Sequence, residues 1–204
     1  MCGRYLILPD EFDEIESIVS EVSERYTRTL SANGEIFPAN NIPVIYSHRG
    51  KKVLSLAKWG FPGYKGKGVI INARAETVSE KPMFRESFRL RRCIVPANGY
   101  YEWLTHEDRT KTKYLIRVKG KNSFFMAGLY SFFADWNEEL SLMAPAVVII
   151  TTAAGRDISF IHDRMPVIIR DELIDVWLDK NAGPGELKRI LAPYDEGGLR
   201  FEIA

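Results

Sequence analysis

The middle of the chain is divided into nine short apolar runs: Val44–Ser47, Val53–Trp59, Gly68–Ala73, Arg92–Val95, Tyr100–Leu104, Tyr114–Val118, Phe124–Tyr130, Ala146–Thr152 and Val167–Ile169. Gly, Pro, Asn and charged residues separate them, so each reads as a β-strand bounded by turns. Parallel strands need a crossover of a dozen or more residues, usually a helix, and most of these gaps are too short to hold one. The pattern therefore predicts an α+β fold with a largely antiparallel or mixed β core. Short helices are expected to flank it at Ser79–Leu90, with Pro82 in the first turn, at Glu172–Leu178 and at Gly185–Leu191. A longer amphipathic helix is expected from Asp10 to Tyr26, where Phe12, Ile15, Ile18, Val22 and Tyr26 recur at three- and four-residue spacing.

A chain of 204 residues fits one domain, 1–204, with a sizeable core. No internal repeat or linker interrupts it, and the stretch around Asp135–Pro145 reads as a hairpin excursion. The composition, 46% hydrophobic and 27% charged, is that of a soluble globular protein. Two cysteines cannot build a disulfide framework, and with three scattered histidines they form no spaced metal cluster, so neither metal nor cofactor is expected. No apolar run reaches membrane-spanning length, and the cysteine usage fits a reducing, cytoplasmic compartment. A net charge of +1 argues against a surface that coats polyanions generally. Lys81, Arg85, Arg89, Arg91 and Arg92 nevertheless face a single acid, Glu86, within one short stretch. That run reads either as a solvated helix face or as a phosphate-binding strip.

Cys2 directly follows Met1. Loss of Met1 would place a free α-amine and a thiol on one residue, a 1,2-aminothiol whose reference pKa values of about 8 and about 8.5 make both groups nucleophilic near neutrality. Taken alone, Cys2 reads equally as a frayed terminus. Three later segments supply polar groups. Asn72-Ala73-Arg74-Ala75-Glu76 closes an apolar run, and a strand continuing through it puts Asn72, Arg74 and Glu76 on one face. Glu102 sits among Tyr100, Tyr101 and Trp103, where burial would raise its pKa and let it give and accept protons near neutrality. His162 lies between Ile161 and Asp163-Arg164 in a loop that flanks a strand, as a candidate acid or base.

Met1-Cys2-Gly3-Arg4-Tyr5, Trp59-Gly60, Asn72-Ala73-Arg74-Ala75-Glu76-Thr77, Pro96-Ala97-Asn98-Gly99-Tyr100-Tyr101-Glu102-Trp103 and Ile161-His162-Asp163-Arg164-Met165-Pro166 occur in this order. Together they resemble the SRAP family, the SOS-response-associated peptidase-like proteins that shield abasic sites in DNA. The resemblance implies that an N-terminal cysteine captures the ring-opened aldehyde of an abasic site in single-stranded DNA. The amine condenses to an imine, the thiol closes on the imine carbon, and a thiazolidine crosslink results. It further implies Cys2 as nucleophile, Glu102 as proton shuttle, Asn72 as the group holding terminus and sugar, and His162 in acid–base steps that include slow reversal. Arg4, Arg74 and Arg164 fall at the family's phosphate-binding positions. Arg85 and Arg89 would line the DNA path, with Met83 and Phe84 near the bases.

The chain departs from the family pattern in three places. Tyr64, in Pro62-Gly63-Tyr64-Lys65, stands where relatives often have an exposed tryptophan, and it is expected to stack on DNA in its place. The family's usual Ala-Pro is Pro38-Ala39, and a Val- and Asn-containing tail is expected after Ala204. The resemblance implies a monomer acting on abasic single-stranded DNA. The residues also leave other readings open: an autoproteolytic thiol peptidase, an N-terminal-nucleophile glutamine amidotransferase with Asn98-Gly99 as an oxyanion-hole pair, and a non-catalytic nucleic-acid-binding module in which Cys2 is incidental.

Overall fold

The computed structural model describes residues 2–8, 21–22, 34–63, 67–133, 145–194 and 197–204. The strands in chain order are β1 (Arg4–Ile7), β2 (Glu21–Val22), β3 (Gly34–Ile36), β4 (Asn41–His48), β5 (Lys51–Trp59), β6 (Phe61–Pro62), β7 (Val69–Ile70) and β8 (Asn72–Arg74). They continue as β9 (Arg92–Ala97), β10 (Gly99–Thr105), β11 (Lys111–Val118), β12 (Phe124–Phe132), β13 (Pro145–Ala153), β14 (Arg164–Pro166), β15 (Ile168–Ile169) and β16 (Leu199–Ile203). Three helices, α1 (Arg85–Leu90), α2 (Ile174–Leu178) and α3 (Pro184–Ile190), and one 3-10 turn (Asp171–Leu173) accompany them.

One sheet is antiparallel, in the order β16-β11-β10-β1-β3. The other runs β14-β13-β12-β9-β4-β5-β2, and β13 also pairs with β5, which turns the sheet back on itself. Its parallel pairings, β13 with β5 and with β8 and β5 with β2, make the architecture mixed. The expected α+β class is the one observed.

Strand periodicity explains the layers. Val147 and Ile149 of β13 join the core between the two sheets, together with Cys93 and Val95 of β9. Val148, Ile150 and Ile94 point the other way, into a second core capped by Trp177 and Leu178 of α2 and Leu187 and Ile190 of α3. The second sheet is thus buried on both faces. This accounts for near-continuous apolar runs where a half-exposed strand would alternate.

The sequence pattern differs from the structure in identifiable places. Helix α1 begins only at Arg85, since residues 75–84 form successive turns. The run Gly68–Ala73 divides into β7 and β8, and β8 ends at Arg74, so Glu76 lies in the turn beyond the strand. The helix expected over 10–26 lies outside the described residues except for Glu21–Val22, which pair with Val53 and Leu54 as β2. Residues 134–144, within the expected excursion, and Tyr64 also lie outside the described residues.

Candidate functional site

Cys2 precedes β1 and is fully buried in the core between the sheets. Two features of β1 fix it there. Tyr5 is registered against Tyr100 of β10, both fully buried, and its ring packs edge-on against Trp59 with centroids 5.4 Å apart. The Trp59 indole in turn donates to the Ile71 carbonyl at 3.1 Å, which ties this cluster to the residue just before Asn72. β8 pairs in parallel with β13, Asn72 beside Ile149, and Ile149 faces the inter-sheet core. Asn72 accordingly points inward, and its Nδ2 donates to the Cys2 carbonyl oxygen at 2.9 Å. Its buried Oδ1 has no hydrogen-bond partner among the described residues.

Glu102 lies two residues past Tyr100 on β10 and so shares its face, and it is only 2% exposed. Burial is the main cause that raises its carboxyl pKa to about 7, and the nearby Asp163 carboxylate adds to the effect. Burial likewise pushes the Cys2 thiol far up, with the Glu102 charge second. The thiol therefore rests protonated while the Glu102 carboxyl is divided between its two forms at neutrality, so a proton leaving the thiol meets a group able to take it.

His162 sits in the loop 154–163 that joins β13 to β14, closed by the Ala154 N–H to the Asp163 carbonyl at 2.9 Å. Ile158 and Ile161 anchor this loop in the inter-sheet core. Phe160 meets Tyr114, the cross-strand neighbour of Glu102, at 6.2 Å between ring centroids. The His162 Nδ1 accepts from the Arg164 backbone N–H at 3.0 Å and lies 2.8 Å from Asp163 Oδ1. These two contacts demand opposite states of Nδ1. Burial lowers the His162 pKa, which favours the neutral ring with its proton on Nε2 and the Arg164 amide as partner.

The arginines are arranged differently. Arg164 forms a fork on Glu76, Nη1 to Oε1 at 2.6 Å and Nη2 to Oε2 at 3.0 Å, and Nη2 also reaches the Thr151 carbonyl. Arg4 lies on the opposite face of the first sheet from Tyr5. There it bonds Glu35 at 2.9 Å and stacks 4.2 Å over Phe37. Arg74 is exposed at the end of β8.

Arg85 and Arg89 are exposed and line a groove of about 640 Å³ between α1 and α3, with Lys180 at its side. A neighbouring cleft shares Ser79, Phe88, Pro184 and Leu187 and extends to Glu76 and Thr152, beside Arg164. Two other members of the basic run are engaged within the protein. Arg91 pairs with Glu86, and Arg92 donates to the carbonyls of Trp177, Phe88, Arg89 and Asp179. Met83 is exposed, whereas Phe84 packs on Phe61 in the second core.

Asn98 also has a structural task. Its Oδ1 accepts from the Leu8 N–H at 2.6 Å and its Nδ2 donates to the Asn122 carbonyl at 2.9 Å, so its amide clamps the end of β1. Both of its polar atoms are thereby engaged, which weakens the oxyanion-hole reading. At the adjacent Gly99 an added Cβ would stand 2.6 Å from Leu115 Cδ1 and 3.1 Å from the Ile116 carbonyl oxygen, so a side chain there would require Leu115 to shift. At Gly60 the φ of +123° and a Cβ position 2.8 Å from the Val69 Cβ require glycine just after Trp59.

The mixed fold thus sets a buried second-position cysteine, its carbonyl held by the Asn72 amide, in one core with a buried carboxyl poised at neutrality. The chain belongs to the SRAP family, described as SOS response associated peptidase, whose sequence profile matches residues 1–203. It is 37% identical over 201 residues to the abasic site processing protein YoqW of Bacillus subtilis, covering 96% of this chain and 88% of that one. It is 26% identical to the abasic site processing protein YedK of Escherichia coli, covering 94% and 86%. A crystal structure of a protein from Bacteroides thetaiotaomicron superimposes with a TM-score of 0.85 at 27% identity, over 99% of this chain and 91% of that one.

Sequence reasoning missed Tyr5 and Tyr100 as members of the site. Both fall inside the motifs quoted above, and the signal that finds them is cross-strand register, which the motifs alone do not carry.

Proposed function

We propose that this chain processes abasic sites in single-stranded DNA by covalent capture, acting as a cytoplasmic monomer once Met1 has been removed. The observation that carries the reading is the hydrogen bond from Asn72 to the Cys2 carbonyl, made beside a Glu102 carboxyl whose pKa is about 7. An aminothiol fixed by its own backbone presents amine and sulfur to one carbon, which is the arrangement a five-membered ring requires. Glu102 gives a proton to the sugar ring oxygen as the ring opens and assists loss of water as the amine and aldehyde condense. The thiol then adds across the imine. His162, neutral at pH 7, exchanges the proton of the ring nitrogen and so serves reversal.

Arg164 and Arg74 hold phosphates around the lesion. The grooves running from Glu76 to Arg85, Arg89 and Lys180 offer the continuing strand a basic, partly apolar track, and the exposed Met83 meets the bases. Tyr64 stacks on a neighbouring base. The test is incubation of Met1-free protein with an abasic single-stranded oligonucleotide, followed by denaturing electrophoresis and intact mass. A single covalent adduct is expected, and a protein that binds the oligonucleotide without forming one would contradict the proposal.

A further inference from the structure

We propose that Tyr100, with Tyr5 beside it, is a further catalytic residue: its hydroxyl donates a hydrogen bond to the Cys2 sulfur as that atom takes on negative charge during ring closure. The inference rests on the covalent-capture reading above and extends it to a group that reading does not use.

Two complementary deficits point to it. The hydroxyls of Tyr5 and Tyr100 are buried and have no hydrogen-bond partner among the described residues. Buried tyrosine hydroxyls normally find one, so each such group calls for an explanation. The Cys2 sulfur has the converse need. Its hydrogen-bond contact is the Arg4 carbonyl at 3.9 Å, an acceptor that suits a thiol and opposes a thiolate. The Asn72 Nδ2 amide is already committed to the Cys2 carbonyl. Among the described residues, hydroxyl donors without an acceptor therefore stand in the same core cluster as a sulfur whose hydrogen-bond contact is itself an acceptor.

Position and charge agree. Tyr5 and Tyr100 are direct cross-strand partners, Cys2 lies three residues before the first, and Glu102 lies two after the second on the same face. After burial, which dominates, the Cys2 charge is the next cause holding both phenols above their ordinary pKa, and Glu102 adds to it at Tyr100. Both phenols consequently remain protonated donors throughout the neutral range. Hydrogen bonds of this kind are often unmade in the resting protein and form along the reaction.

The step balances without consuming the tyrosine. The thiol proton passes to the Glu102 carboxylate, and the sulfur electron pair forms the S–C bond. The C=N pair returns to nitrogen, which takes the proton back from the Glu102 carboxyl.

The experiment compares Met1-free wild type with Tyr100→Phe and Tyr5→Phe. Capture is followed with an abasic oligonucleotide and, separately, with formaldehyde, a small aldehyde that forms a thiazolidine on any terminal cysteine and is read by intact mass. Tyr100→Phe is expected to slow both captures about tenfold at neutral pH, with the alkaline limb of the pH–rate profile displaced to higher pH. Affinity for an oligonucleotide carrying a tetrahydrofuran abasic analogue should not change, and Tm should be equal or higher because a buried unpartnered hydroxyl has been removed. An unchanged rate and pH profile in Tyr100→Phe overturns the proposal. A uniform slowing at every pH accompanied by a fall in Tm marks a packing role and overturns it as well. Wild type that captures formaldehyde but not DNA refutes the DNA reading, while the tyrosine effect is still decided on formaldehyde.

Discussion

The Asn72 side-chain amide donates to the Cys2 carbonyl oxygen at 2.9 Å, so the start of β8 holds a residue seventy positions earlier in the chain. The bond fixes the backbone that carries both nucleophiles. Asn72→Ala is expected to slow adduct formation by about tenfold, since misplacing a reacting group costs orientation more than binding. It should cost only about 1 kcal/mol of stability, the net worth of one hydrogen bond. Single-turnover capture kinetics and thermal unfolding of the same variant separate the two effects.

Glu102 makes stability depend on pH in a defined direction. Its folded pKa of about 7 lies above the ordinary 4.5, so between these values the folded state binds more protons than the unfolded one. Stability therefore falls as pH rises through that window. Glu102→Gln removes the effect and should be more stable than wild type at pH 8 by roughly 3 kcal/mol. The difference should vanish near pH 4.5. The same variant should form adduct much more slowly, and calorimetry at the two pH values with a capture assay checks both.

His162 has the opposite sign. Burial depresses its pKa below the ordinary 6.5, so the unfolded state binds more protons and stability is lost as pH falls through that region. His162→Asn should lose less stability on acidification than wild type. Its adduct should form at a near-normal rate and reverse more slowly, which release of crosslinked oligonucleotide over time measures.

Arg164 is held by the Glu76 carboxylate, which occupies the guanidinium fork in the free protein. Glu76→Gln loosens that fork and should raise non-covalent affinity for single-stranded DNA two- to fivefold, with a salt dependence steeper by up to about 0.7 in log–log slope. The stability cost should stay below about 1 kcal/mol because Glu76 is half exposed. Fluorescence anisotropy at several salt concentrations reads the result.

All nine apolar runs lie on strands or overlap them, most of them on the sheet buried on both faces, which demands near-continuous apolar residues wherever it runs. The segments β1, β3 and β16 of the first sheet were not legible. Each is short, and only pairing makes it a strand: β1 between β3 and β10, and β16 beside β11. Ser79–Leu90 carried helical spacing over more residues than α1 uses, since Phe84 and Phe88 satisfy their packing from a turn and a short helix alike. At the site, motif order pointed to Cys2, Asn72, Glu102 and His162. Which of them touch depends on parallel pairing of β8 with β13 and on the registers of β1 and β10, long-range geometry that no local pattern encodes. The engagement of Arg92 with four backbone carbonyls was equally hidden, because charge alone does not tell a surface arginine from a buried one.

The most direct test of the account is the fate of Cys2 itself. Met1-free wild type and Cys2→Ala, each mixed with abasic single-stranded DNA, are compared by intact mass after denaturation. The account predicts one covalent DNA adduct on wild type, mapped to residue 2, and none on Cys2→Ala or on protein that retains Met1. An adduct of equal yield on Cys2→Ala, or its absence from fully processed wild type, would contradict it.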